Sequence, residues 1–149
     1  MKFIGFDREL EAIEWAKKII GVESAVGFCR AVSAVDASGE FVFVVVLSNF
    51  SKTNIDMHTA ALLGAAWARP KAIVAMFRFL FDYVFLTLGA RRVTGLVRAS
   101  NMAARRFDEH IGFVREGEMR EAFPDGENLI IYGFLRTDYE QHEWRRASK

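Results

Sequence analysis

Residues 41–47 read Phe-Val-Phe-Val-Val-Val-Leu, an unbroken run of aromatic, β-branched and aliphatic side chains. Four β-branched residues in seven positions favour an extended chain over a helix. In a strand, successive side chains point to opposite faces, so a run with no polar member is apolar on both sides. Such a strand has to be covered on both faces. Residues 25–35, AVGFCRAVSAV, alternate loosely and read as the strand before it, joined to it by the turn residues Asp36-Ala37-Ser38-Gly39. The segment 25–47 is therefore expected to be a hairpin with its second strand deep in the molecule.

The remaining elements are placed around this hairpin. A helix is expected over 8–20, with Asp7 as its cap, a stripe of Leu10, Ile13, Ala16 and Ile20, and a Glu14-Lys18 pair. After the polar loop 48–54, residues 55–61 alternate: Ile55, Met57 and Thr59 share one face, Asp56 and His58 the other. Pro70 suits the first turn of a long helix over 70–88, which Gly89 is placed to end. Its aromatics Phe77, Phe79, Phe81, Tyr83 and Phe85 read as core.

A strand over 91–98 follows. Next comes a helix capped by Ser100 or Asn101, with Phe107 and Ile111 inward and Arg105-Glu109 as a surface pair. Strands over 114–122 and 128–136 are joined by the turn Pro124-Asp125-Gly126-Glu127. The charged tail 137–149 frays or adds a short helix. This order predicts one domain over 1–149, mixed α/β with a single sheet. The strands 55–61 and 91–98, linked through a helix, are expected to be parallel neighbours.

Composition narrows the function classes. An apolar fraction of 52% with 14 Phe argues for a dense interior rather than disorder. A net charge of +1 gives no global field for nucleic acid or a membrane surface. Locally, residues 91–120 hold seven Arg against four acids, a stretch suited either to an anionic ligand or to a solvated face. The apolar segment 72–90 carries Arg78 and Asp82 near its middle, which favours a helix packed on protein over a membrane span. Cys29 is the single cysteine and reads as a small buried strand residue. With no disulfide possible and no leader pattern, a cytoplasmic protein is expected. The histidines His58, His110 and His142 are too scattered to suggest a metal site.

Residues 82–117 bring a resemblance into view. Leu88-Gly89 closing a long helix, Arg92-Val93 in the next strand, Asn101, Ala104 and Gly112-Phe113 resemble the core of the GCN5-related N-acetyltransferase (GNAT) superfamily. The likeness is nearest to its ribosomal-protein and small bacterial or phage-borne branch. Glu116-Gly117, Arg120, Asp125-Gly126 and Tyr132-Gly133 extend it to about residue 136. Residues 1–50 match by element order only.

The resemblance implies a GNAT-like sheet, mostly antiparallel with a central parallel pair and flanked by helices. It implies transfer of an acetyl group from acetyl-CoA to an amine, either a protein N-terminus or a small molecule. The cofactor's pantetheine arm would lie along Ala61, Leu62 and Leu63. Its pyrophosphate would meet the start of the long helix at Arg69, Lys71, Ala72 and Ile73. Asn101 would both cap its helix and contact the cofactor. For the base that deprotonates the amine, Asp56 and His58 are the candidates, since they share one face of the strand leading to that site. The other reading of this pair is a polar strand face with His58 satisfied by a neighbour.

Two positions depart from the family pattern. The phosphate loop's two glycine positions fall on Lys71 and Ile73, and its leading Arg or Gln on Ala68. The Tyr that many members carry seven residues after the helix Asn is Asp108, a poor acid unless burial raises its pKa. These departures keep a second reading open, a non-catalytic GNAT-like domain that binds a protein or nucleic-acid partner. A homodimer through the final hairpin is also considered, and no resident metal is expected.

Overall fold

A computed structural model describes residues 1–20, 29–62 and 70–146 of the chain. One seven-stranded sheet organises them, in the order β1-β2-β3-β4-β5-β7-β6. Its strands are β1 (Lys2–Gly5), β2 (Arg30–Val35), β3 (Phe41–Ser48), β4 (Asn54–Ala61), β5 (Arg92–Arg98), β6 (Val114–Met119) and β7 (Leu129–Leu135). The helices are α1 (Glu9–Ile20), α2 (Pro70–Asp82), α3 (Met102–His110), α4 (Arg136–Gln141) and α5 (Glu143–Arg146). The sheet is antiparallel except for β4 and β5, which are parallel neighbours as the crossover requires.

All eight residues of β3 are buried, as its unbroken apolar run demands. Val44 and Val46, with Ala60 of β4, pack under Ala12 and Ala16 of α1. Phe43, Val45 and Leu47 face the opposite layer, which holds α2, α3 and the C-terminal helices. There Phe77, Phe81, Phe85, Phe107, Phe113, Phe134 and Tyr139 form one continuous aromatic core. Ile55 and Met57 of β4 and Val93 and Val97 of β5 belong to this second face. By strand alternation, Asp56 and His58 lie on the α1 face.

Several expectations need correction. The α1 stripe is rotated: Leu10 is 80% exposed, while Ala12 and Ala16 are buried, because a helix lying close to β3 needs small residues at the contact. Arg8, not Asp7, stands before the helix, since its carbonyl accepts the first intrahelical bond from the Ala12 N–H. Glu14 pairs with Lys17 instead of Lys18. Strand β1 was not anticipated; it adds to the edge beside β2.

The long helix changes pitch. Residues Tyr83–Thr87 form a π-helical turn, with the Leu88 N–H donating to Tyr83 O at 2.9 Å, before Gly89 ends the run at φ +73°. Phe79 is partly exposed, packing edge-on against Phe3 and Phe6 of the N-terminal segment. Strand β6 stops at Met119, short of 122, and is an exposed edge of the sheet. The tail folds back: Tyr139 is 1% exposed and its hydroxyl donates to Asp82 Oδ1 at 2.7 Å. No helix among the described residues is long and apolar enough to cross a membrane.

Candidate active site

The central strands part. The β4–β5 ladder pairs Asn54 with Arg92, Ile55 with Val93, Asp56 with Thr94 and Met57 with Gly95, and goes no further. Yet β4 continues to Ala61, held by β3, and β5 to Arg98, held by β7. Among the described residues, the facing edges of His58–Ala61 and Leu96–Arg98 have no strand partner. Unpaired backbone N–H and C=O groups inside a sheet call for some other partner. An extended chain bearing amides is the kind of group that takes up strand-like hydrogen bonds from such an edge.

Below the opening the polar groups are satisfied. Both oxygens of Asp56 accept amide N–H bonds, from Asn49 Nδ2 and Asn54 Nδ2, each at 3.0 Å. Thr94 donates to Asn54 Oδ1, and Arg92 joins Asn54 and Thr94 while pairing with Glu116 on β6. Asp56 is therefore held in place, and no direct bond joins it to His58. His58, one step inside the opening, is pushed below the ordinary histidine range by burial, against the opposing pull of the Asp56 charge. Its imidazole is neutral at neutral pH, the form a base requires.

On the opposite face the Thr59 hydroxyl is buried with no hydrogen-bond partner among the described residues. Asp108 is 3% exposed, and a β-carbon built on Gly95 would stand 3.1 Å from its Oδ2. Burial, with the Glu109 charge beside it, pushes the Asp108 carboxyl up to about 7. Thr59 looks like any strand residue in the sequence; Asp108 stands out there by its place seven residues after Asn101, but its burial is not legible there.

The other anticipated residues fall as follows. Ala61 and Leu62 close β4, the Leu62 N–H donating to Val42 O at 3.0 Å. Leu63, Ala68 and Arg69 lie outside the described residues. Lys71, Ala72 and Ile73 form the first turn of α2, where backbone N–H groups have no intrahelical acceptor and no acidic side chain competes for an anion. Ile73 is buried, so its side chain serves the core while its N–H stays at the helix start.

Asn101, not Ser100, caps α3, its Oδ1 accepting from the Ala104 N–H at 3.1 Å. The approach to that cap is braced by Glu127, which accepts from the Ser100 N–H at 2.7 Å and pairs with Arg98. Arg105 and Glu109 are joined through a buried third party: the Tyr132 hydroxyl donates to Glu109 Oε1 at 2.8 Å and accepts from Arg105 Nε at 3.4 Å. Four of the seven arginines of 91–120 are engaged: Arg92 with Glu116, Arg98 with Asp125 and Glu127, Arg115 with Glu118, and Arg105 with Tyr132 and Ala99 O.

A sheet in this order, with one parallel pair that opens and helices on both faces, defines the fold of the GCN5-related N-acetyltransferases. Solved structures agree. The spermidine/spermine N-acetyltransferase SpeG from Vibrio cholerae, in complex with manganese ions, is 21% identical with a TM-score of 0.61, over 93% of this chain and 78% of that one. A chimera of the Vibrio cholerae spermidine N-acetyltransferase SpeG with hSSAT is 22% identical with a TM-score of 0.61, over 88% and 78%. A structure described as a probable acetyltransferase is 19% identical with a TM-score of 0.63, over 85% and 69%. No family model matches the sequence, and no curated protein matches it.

Proposed function

We propose that this chain is an acyl-CoA-dependent N-acetyltransferase that moves an acetyl group from acetyl-CoA to an amine, either a small molecule or a protein N-terminus. The observation that carries this reading is the parting of β4 from β5 beyond Met57 and Gly95, in a fold shared with acetyltransferases. Bound acetyl-CoA supplies an activated acetyl thioester. The free edge of β4 from His58 to Ala61 holds the pantetheine arm through backbone hydrogen bonds, with Leu62 and Leu63 next in sequence as the further candidates. The first turn of α2, at Lys71, Ala72 and Ile73, meets the pyrophosphate with its N–H groups, and Arg69 and Lys71 add charge. These N–H groups need no glycine to be available, because a helix start exposes them in any case. Asn101 contacts the cofactor from the start of α3.

His58 takes the proton from the attacking amine, directly or through a water. Asp56, on the same face and fixed by two amides, favours the imidazolium as it forms. In this division Asp56 acts on His58 rather than on the amine.

The test is binding first, then turnover. Millimolar acetyl-CoA should raise the unfolding temperature, since any ligand that binds only the native state stabilises it. A panel of amines that includes polyamines and peptide N-termini should then reveal an acceptor. His58→Ala should lower kcat about a hundredfold or more while leaving acetyl-CoA affinity near wild type. No stabilisation at millimolar acetyl-CoA would overturn the reading and leave a non-catalytic GNAT-like binding domain.

A further inference from the structure

The two outer edges of the sheet differ. At one of them β1 is four residues long, opens with the exposed Lys2 and shifts register between Phe3 and Gly5. A short strand, a lysine and an irregularity are means by which a sheet edge resists further pairing. At the other edge β6, Val-Arg-Glu-Gly-Glu-Met, has neither lysine nor proline, and its outward side meets no strand among the described residues. Its two end residues are exposed apolar side chains, Val114 at 59% and Met119 at 53%.

The order of side chains along β6 is self-complementary. Its ladder with β7 pairs Val114 with Gly133, Arg115 with Tyr132, Gly117 with Ile131, Glu118 with Ile130 and Met119 with Leu129, so Glu116 is the extra residue of a bulge. With the bulge counted as one position, β6 reads apolar, Arg, bulge, Glu, apolar. Laid antiparallel on a second β6 about the bulge, Val114 stands opposite Met119 and Arg115 opposite Glu118. Residues directly opposite in an antiparallel pair share a face. In a regular strand, residues five apart point to opposite faces. The bulge corrects this: Val114 and Met119 lie on one face, Arg115 and Glu118 on the other.

The like charge at the centre of such a pair is already drawn away. Arg92 of β5 pairs with the Glu116 carboxylate, which lies over Gly133 of β7, where the missing side chain leaves room for it. Two copies of Glu116 therefore turn inward over their own sheets and not towards each other. Arg115 and Glu118 are both exposed and pair within the chain at 3.3 Å. Across a two-fold axis, two such pairs close into a ring of four alternating charges.

We infer that β6 is a contact between two copies of this chain. The two strands pair antiparallel about the Glu116-Gly117 bulge, and two sheets join into one. Charge complementarity selects the partner and the register together, since each Arg115 meets a glutamate and each Glu118 an arginine. Backbone hydrogen bonds along the edge supply affinity, and the opposed Val114 and Met119 exclude water at both ends. Five ladder positions bury less than a standard interface, so the dissociation constant is expected on the order of tens of micromolar.

Sedimentation equilibrium of the full chain, from micromolar to millimolar concentration, reads the association. Wild type should pass from monomer to dimer over that range. Arg115→Glu sets four acids around the axis and Glu118→Arg sets four arginines there, so each should weaken the dimer about tenfold or more. Each variant loses only an exposed pair within its own chain, so both should keep the wild-type unfolding temperature within a few degrees. Mixed in equal amounts, the two variants should associate as tightly as wild type, because every acid then faces an arginine.

A wild type that stays monomeric at about 1 mM overturns the inference. So does a dimer that neither single substitution weakens, because its contact then lies elsewhere. Failure of the mixed variants to associate overturns it as well, since the charges then do not meet across the axis. The acetyl-transfer reading rests on β4 and stands or falls separately.

Discussion

The two halves of β4 make the same kind of strand do opposite things. From Asn54 to Met57 it is paired on both edges, and its polar side chains end in partners: Asp56 in two amides, Asn54 in Thr94 and Arg92. From His58 to Ala61 it is paired on one edge only. Around that half the Thr59 hydroxyl is buried with no hydrogen-bond partner among the described residues, His58 is desolvated, and Asp108 stands against Gly95 at the parting. A buried polar group with a partner holds structure together, whereas one without a partner destabilises it unless a ligand completes it. On the proposed reading the closed half is a clamp and the open half a site, and substitutions in the two should move stability in opposite directions.

The largest effect is expected at the open half. Between the ordinary carboxylate range and about 7, native Asp108 keeps a proton that the unfolded chain has lost, so stability falls as pH rises through that window. Asp108→Asn removes the penalty and should gain on the order of a few kcal/mol on the alkaline side, read from denaturant midpoints. A variant no more stable than wild type there would break the contrast. In the closed half, Asp56→Ala leaves the Asn49 and Asn54 amides without their acceptor and should lose about 1–2 kcal/mol. A change near zero would mean that solvent satisfies those amides equally well.

Thr59→Val, which keeps the shape and removes the unpartnered hydroxyl, should leave stability unchanged or raise it by about 1 kcal/mol, while weakening acetyl-CoA binding by calorimetry. A clear loss of stability would show that the hydroxyl is already satisfied. The smallest effect concerns His58. Its lowered pKa means that the unfolded chain binds the proton more readily, so stability should decline as pH falls through the ordinary histidine range, opposite in sign to Asp108. His58→Gln should flatten that decline. A slope that the substitution leaves intact would assign it to another group.

Much of the scaffold was legible in the residues. The run 41–47 demanded a buried strand and is one. Gly89 and Gly112 end their helices at positive φ, and Asn101 caps α3, because these are local matters of steric freedom and one hydrogen bond. The parallel pairing of β4 and β5 followed from a helix between two strands. Errors arose where neighbours distant in sequence intervene. The face of α1 was misjudged at Leu10 because hydrophobicity alone cannot say how closely a helix approaches its sheet. Arg105 and Glu109 looked like a surface pair until Tyr132, 23 residues beyond Glu109, came between them.

Sequence by itself determined most of the extended and helical segments, though not β1, and the crossover that sets two strands parallel. These follow from side-chain periodicity, backbone freedom and connection length, all properties of short stretches. Tertiary structure alone decided where the parallel ladder ends and what stands at that point. The parting beyond Met57 and Gly95 depends on β3 and β7 each holding one strand of the pair. The Asp108 carboxyl is raised by burial, with the Glu109 charge beside it, at a point where Gly95, 13 positions earlier, leaves room for it. Desolvation is a property of everything packed around a group, and no window of neighbouring residues contains it.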